Sequence, residues 1–167
     1  MQGGAAALLV PPRVRRGWFV ACRSADLRAR PVATRLWGLP ITVFRTQGGV
    51  GALLDRCPHR NVPLSMGRVT GKCLECPYHG WQFTADGEVV RVPGLTGEAR
   101  AKARNVEAWP AVEQEGYVWV WGQPEGEPQG LPPRFPHFGE AGYQTVRDAF
   151  DAEATLHAVA ENALDVP

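Results

Sequence analysis

The sequence predicts an all-β fold, an antiparallel barrel or sandwich, with two ligand-bearing loops set into it and a strand–helix tail behind it. Three observations predict this. Gly and Pro number 19 and 15 in 167 residues and cut the chain into short apolar runs. Several runs are rich in the β-branched and aromatic residues of strands. The turn signals between them come at the close spacing of hairpins.

The first run, "WFVAC" at 18–22, reads as a strand behind a lead-in of residues 1–16. "ITVFR" at 41–45 and "ALLD" at 52–55 read as strands, with Gln47-Gly48-Gly49 as the hairpin turn between them. "KCLE" at 72–75 is strand-like, and "WQFTADGEVVRV" at 81–92 repeats the strand–turn–strand pattern around Asp86-Gly87. "YVWVW" at 117–121 alternates aromatic and β-branched residues, a strong strand signal. These elements set a main domain over 17–125. The Pro- and Gly-rich stretch 126–142 reads as a connection. The tail, 143–167, opens as a strand over about 143–150. It then turns helical, with Leu156, Val159, Ala160 and Ala163 on one face. A lone strand and a short helix cannot bury a core, so the tail reads as the start of a second domain.

Charge and hydropathy exclude some classes of function. The net charge is +1 and the basic residues are spread along the chain, so no nucleic-acid partner is expected. No run approaches 18 apolar residues, so no membrane span is expected. The apolar stretch from Ala5 to Val10 is too short for a signal-peptide core and lacks a basic start. Arg15-Arg16 is a twin arginine, but the apolar segment after it is broken early by Arg23 and Asp26, so it reads as a charged lead-in to the first strand. The expected compartment is the cytoplasm. Four Cys there point to metal or redox chemistry more than to disulfides.

The chemistry concentrates in "CPHRNVPLSMGRVTGKCLECPYHGW", residues 57–81. It holds five candidate ligands: Cys57, His59, Cys73, Cys76 and His79. Cys57-Pro58-His59 and Cys76-Pro77-Tyr78-His79 are related patterns, each giving one Cys and one His. That symmetry argues for Cys57, His59, Cys76 and His79 as the working set and leaves Cys73 outside it. A Cys2His2 set could hold a structural Zn2+, although zinc sites usually pair Cys with Cys and His with His. Mixed pairs fit a [2Fe–2S] centre with two Cys on one iron and two His on the other. Cys73 and Cys76 also form C-x-x-C, the best case for zinc or a thiol redox pair.

"CPHR…CPYHGWQF" resembles the cluster-binding motif of the Rieske non-haem iron oxygenases, C-x-H followed by C-x2-H. "GWFVACRSADL", "LWGLPITVFRTQGGVGALLDRCPHR", "ADGEVVRVPG" and "EQEGYVWVWGQPE" extend the resemblance over roughly 17–125. The respiratory-complex branch carries an extra Cys in each loop, and the first loop here has none. The resemblance implies a Rieske-type β domain with a two-loop cluster-binding subdomain, holding a [2Fe–2S] cluster on Cys57, His59, Cys76 and His79. The His-bound iron would be the outer one, putting both imidazoles near the surface. Backbone N–H groups of the loops would hydrogen-bond the sulfurs. Arg60, Tyr78 and Trp81 are candidates for the shell around the ligands.

The tail carries a second resemblance. His157 and Glu161, four apart, could share an ion with His137, but packed or solvated side chains are the plainer reading of those three. "ENALDVP" at 161–167 is similar to the start of the family's mononuclear iron motif, (E/N)-N-x-x-D-x-x-H-x4-H, with Asn162 and Asp165 in register. The resemblance makes Asp165 an electron bridge between the cluster of one subunit and the mononuclear Fe(II) of its neighbour, in a head-to-tail homotrimer. A reductase or ferredoxin would be the electron donor. The first iron-binding His would fall at 168, so the expectation is the N-terminal portion of an oxygenase catalytic subunit, followed by a stub of its α+β catalytic domain. A free-standing Rieske ferredoxin and a zinc-stabilised interaction module are the alternatives.

Overall fold

The computed structural model describes residues 12–148 and 152–165. Two compact units divide the chain, Met1–Arg134 and Phe135–Pro167, and the division falls inside the Pro- and Gly-rich stretch. The strand order of the first unit is β1 (Trp18–Arg23), β2 (Val32–Leu36), β3 (Leu39–Thr46), β4 (Gly49–Leu54), β5 (Arg68–Thr70), β6 (Cys73–Glu75), β7 (Gln82–Phe83), β8 (Val89–Arg91), β9 (Ala108–Trp109), β10 (Ala111–Gln114) and β11 (Tyr117–Trp121). A four-residue helical turn, α1 (Pro12–Arg15), precedes β1. The strands form three antiparallel sheets, ordered β1-β11-β10, β2-β3-β4-β9 and β5-β6-β7-β8.

The β3–β4 hairpin builds two cores at once. Successive side chains of a strand point to opposite faces. Ile41, Val43 and Ala52 therefore enter one core with Leu27, Trp109, Val118 and Val120. Phe44 and Leu53 enter the other, with Leu64, Leu74, Phe83 and Val89. Burial on both faces explains why "ITVF" reads as a continuous apolar run rather than an alternating one. A Cβ at Gly51 would come within 2.8 Å of the Phe44 ring and 2.9 Å of Ala85, so the absent side chain makes room for the second core. That second core carries the β5–β8 sheet and the two ligand loops. Cys57 and Cys76 are themselves members of it.

In the second unit, α2 (Leu156–Leu164) forms where the helical periodicity predicts it. Thr155 caps it, its Oγ1 accepting the Ala158 N–H at 3.2 Å. The strand predicted over 143–150 is not found among the described residues. Residues 143–148 are irregular, and 149–150 lie outside the described set. A strand needs a partner for its N–H and C=O groups, and no described segment of this unit supplies one. Instead Tyr143 closes a turn, its N–H donating to Glu140 O at 3.2 Å, and its ring stacks on His137 at 4.1 Å. The apolar run Ala5–Val10 also lies outside the described residues. Among the described residues no helix is long and apolar enough to cross a membrane.

Candidate metal centre

The two loops are built on one backbone frame. In the first, the Cys57 N–H donates to Val62 O at 2.9 Å and the Asn61 N–H returns to Cys57 O at 2.8 Å. In the second, the Cys76 N–H donates to Trp81 O at 2.8 Å and the Gly80 N–H returns to Cys76 O at 3.2 Å. Each loop turns on a left-handed residue four positions after its Cys: Asn61 at φ 57° and Gly80 at φ 66°. Glycine takes that conformation freely, and Asn is among the few other residues that visit it. Proline follows each Cys and stiffens the turn. The frames match, but the His is second after the Cys in the first loop and third in the second.

Polar side chains fasten both loops. The Asp55 carboxylate accepts the Ser65 N–H and the Ser65 hydroxyl, each at 2.6 Å, bracketing the first loop from outside. Glu75, just before Cys76, accepts from Gln82 Nε2 at 2.7 Å and pairs with Arg68 at 2.6 Å. The Gln82 amide, and then Arg68, hold its carboxyl below the usual carboxylate range.

This frame brings the four candidate ligands together as two pairs, Cys57 with Cys76 and His59 with His79. Cys57 and Cys76 are 1% and 3% exposed, with their thiols in hydrogen-bond contact. Burial pushes the Cys57 thiol up to about 11. The backbone N–H groups of His59 and Arg60 act in the opposite direction by donating to its sulfur. His59 and His79 stand on the exposed side, Nδ1 to Nδ1 at 3.1 Å. The indole of Trp81 lies parallel to His59, 4° between planes and 5.0 Å between centroids. Tyr78, 61% exposed, lies against His79 at 3.8 Å. Arg60 enters through its backbone, and its side chain is exposed. Cys73 stands in β6 opposite Thr70.

The donor set gathers two and two: two buried sulfurs, two exposed ring nitrogens. Among the described residues no three Cys, His, Asp or Glu side chains meet where a single ion could be held. A lone tetrahedral zinc needs four donors around one point, whereas a diiron cluster needs a pair at each end. The residues present therefore fit a [2Fe–2S] cluster. The model of the Rieske [2Fe-2S] domain matches residues 17–110. The chain belongs to the Rieske [2Fe–2S] domain family.

Its Rieske fold is shared with solved structures. Dicamba monooxygenase bound to dicamba superposes with a TM-score of 0.65 at 37% identity, covering 73% of this chain and 37% of that one. NdmA of Pseudomonas putida CBB5 gives a TM-score of 0.63 at 29% identity, over 66% of this chain and 35% of that one. Among curated relatives, the oxygenase component of dicamba O-demethylase from Stenotrophomonas maltophilia is 34% identical over 92% of this chain and 45% of its own length. A cholesterol 7-desaturase of Bombyx mori is 33% identical over 95% of this chain and 35% of its own length. The Rieske chain thus spans less than half the length of these curated relatives.

The Rieske tail does not assemble a second site among its described residues. His137 Nδ1 meets Glu140 at 2.9 Å, and His157 Nε2 meets Glu161 at 3.4 Å, two separate exposed pairs. Asp165 is exposed at the C-cap of α2, its N–H donating to Glu161 O at 2.9 Å. Sequence reading missed the Asp55–Ser65 clamp, because the partners lie ten positions apart across the loop. It also missed Asn61, whose left-handed turn was signalled only by Gly80 standing at the equivalent place.

Proposed function

We propose that this chain is the electron-transfer portion of a Rieske oxygenase. Cys57 and Cys76 would hold one iron of a [2Fe–2S] cluster, and His59 and His79 the other. The observation that carries this reading is the two-and-two gathering of buried thiols and exposed imidazoles. When bound, the cluster supplies one-electron redox chemistry, at a potential that the two neutral imidazoles raise above that of all-Cys clusters. The His59 and Arg60 N–H groups would donate to the Cys57 sulfur and stabilise its thiolate. Burial of both Cys side chains excludes water from that end. The stacked Trp81 would fix the plane of His59, and Tyr78 would flank His79. Exposure of the two imidazoles makes them the outlet of the site.

In this reading a reductase or ferredoxin supplies the electron. The mononuclear Fe(II) that would receive it, for O2-dependent hydroxylation or demethylation of an aromatic or other apolar substrate, belongs to a full-length enzyme. Asp165 would be the bridge from one subunit's cluster to its neighbour's iron in a homotrimer. Charge supports head-to-tail contact: residues 1–134 carry seventeen basic and eleven acidic side chains, residues 135–167 one basic and six acidic. Opposite signs on the two segments favour contact between one copy's head and another's tail. Metal analysis tests the core of the proposal. The purified chain should bind iron and acid-labile sulfide in equal amounts and show the spectrum of a Rieske cluster. Stoichiometric zinc without sulfide would overturn it and leave a zinc-stabilised module.

A further inference from the structure

The β5–β8 sheet, whose β6–β7 connection is the second ligand loop, carries a row of four polar residues across its strands. Arg68 of β5 stands opposite Glu75 of β6, Glu75 opposite Gln82 of β7, and Gln82 opposite Arg91 of β8. Residues opposite one another on neighbouring strands put their side chains on one face, close enough to interact. The row beside it, Val69, Leu74, Phe83 and Val89, packs in the core that also holds Cys57 and Cys76. The polar row lies on the other face. Glu75 is at its centre. Gln82 Nε2 donates to Oε2 at 2.7 Å and Arg68 Nη2 meets Oε1 at 2.6 Å, so each carboxylate oxygen has its own donor. Exposure within the ion pair is uneven: 12% of the Glu75 side chain and 77% of the Arg68 side chain reach solvent. Glu75 is bonded to the candidate ligand Cys76, and Arg68, Glu75 and Cys76 all line one hollow of about 320 Å3. A shielded negative charge thus stands beside a buried sulfur, paired with a solvated positive one.

We propose that Glu75 tunes the [2Fe–2S] centre: its shielded carboxylate lowers the reduction potential, and Arg68 offsets part of that effect. The inference rests on the reading of Cys76 as a cluster ligand. Reduction adds one electron to the cluster, supplied by the reductase or ferredoxin of the proposed function, and no bond of this chain forms or breaks. The added negative charge is repelled by a nearby carboxylate and attracted by a nearby guanidinium. The two effects are unequal, because water and salt screen an exposed charge more than a shielded one. The net effect therefore follows Glu75. Gln82, its partner across the strands, holds the carboxylate in place from the side opposite Arg68. Two imidazole ligands raise the potential of such a centre, and this carboxylate trims it back.

The test uses the full chain carrying its cluster, titrated with dithionite at pH 7 and followed by absorbance. At the wild-type midpoint potential, Glu75→Gln should raise the ratio of reduced to oxidised cluster by about fivefold, and Arg68→Gln should lower it by about twofold. Arg68→Lys keeps the charge and should restore the wild-type ratio. The double variant Glu75→Gln/Arg68→Gln should fall between the two single ones. Opposite signs are the decisive readout, because a loosened loop would shift both variants the same way. Added salt should shrink the Arg68→Gln effect and leave most of the Glu75→Gln effect. Cluster content and electron paramagnetic resonance g-values should match wild type throughout. If Glu75→Gln does not keep its cluster, Arg68→Gln against Arg68→Lys decides the matter. Cluster-loaded variants whose potentials stay put, or move in one direction, would overturn the tuning role alone. A wild-type chain without a [2Fe–2S] spectrum would overturn both this inference and the function it rests on.

Discussion

The two ligand loops share a backbone frame and differ in almost everything attached to it. Both close the Cys N–H onto the residue five places on, and both turn on a left-handed residue four places on. The first loop places His two residues after Cys, turns on Asn61 and is bracketed by a carboxylate–serine clamp. The second places His three residues after Cys, turns on Gly80 and is tied down by a glutamate shared between an amide and an arginine. The lesson is that the frame positions the sulfurs, while the His offset brings two rings from opposite loops into tilted contact, 4.7 Å between centroids. A one-residue difference in spacing lets Nδ1 meet Nδ1 at 3.1 Å across loops that are otherwise alike.

The largest effect that can break this comparison comes from making the loops chemically equal. His79→Cys and His59→Cys would each put a thiolate where a neutral imidazole is proposed to bind the outer iron. Rieske potentials lie at about −150 to +300 mV and all-Cys plant-type clusters near −400 mV, so each change should lower the potential by on the order of a hundred millivolts or more. Redox titration of the two variants checks it. The shifts should be similar, because both rings would serve the same iron. A variant whose potential and spectrum are unchanged would remove that His from the ligand set.

The next effect concerns the turning residue. Gly80→Ala adds a Cβ whose nearest neighbour, Pro93 Cγ, is 3.4 Å away, an ordinary contact, so its cost is that of the left-handed backbone. That cost is about 1–2 kcal/mol. Asn61→Gly at the matching place should be neutral within roughly 0.5 kcal/mol, because glycine removes strain while adding chain entropy to the unfolded state. Denaturant unfolding of the two variants reads the difference directly. Equal losses would mean that the loops do not turn on equivalent residues.

How much of this was legible in the sequence follows from the same residues. Repeated Cys-Pro pairs, the mixed Cys/His composition and the alternating strands are local patterns, and they were enough to mark the loops and the β fold and to single out four candidate ligands. The strand at 143–150 failed because a local pattern was read without asking for its pairing partner. The two-residue strand β9 went unread because it is held by neighbours distant in sequence, pairing only Ala52 and Leu53 of β4. Asp55 stood in the sequence only as the end of the run "ALLD", and the fold brings Ser65 to it. Trp81 was visible as a residue beside His79, yet it stacks on His59, the ring from the other loop.

That crossed contact gives the smallest and most discriminating effect. Trp81 is half-buried, packs on the core of the loop subdomain and lies 6.4 Å from the Phe83 ring. Its parallel face ties His59 to that core. Tyr78 flanks His79 from an exposed position and ties it to nothing buried. The two rings should therefore differ in rigidity, with His59 the anchored one. Trp81→Phe keeps an aromatic face under His59, and Trp81→Leu removes it. The difference in unfolding free energy between these two variants isolates ring stacking from lost volume, at about 0.5–1.5 kcal/mol. Tyr78→Leu against Tyr78→Phe should show a smaller difference, because water can replace an exposed contact. With the cluster assembled, electron paramagnetic resonance should show altered g-values in Trp81→Leu and their recovery in Trp81→Phe. Equal effects at Trp81 and Tyr78 would mean that both imidazoles are held alike, and that the two loops differ in spacing without differing in stiffness.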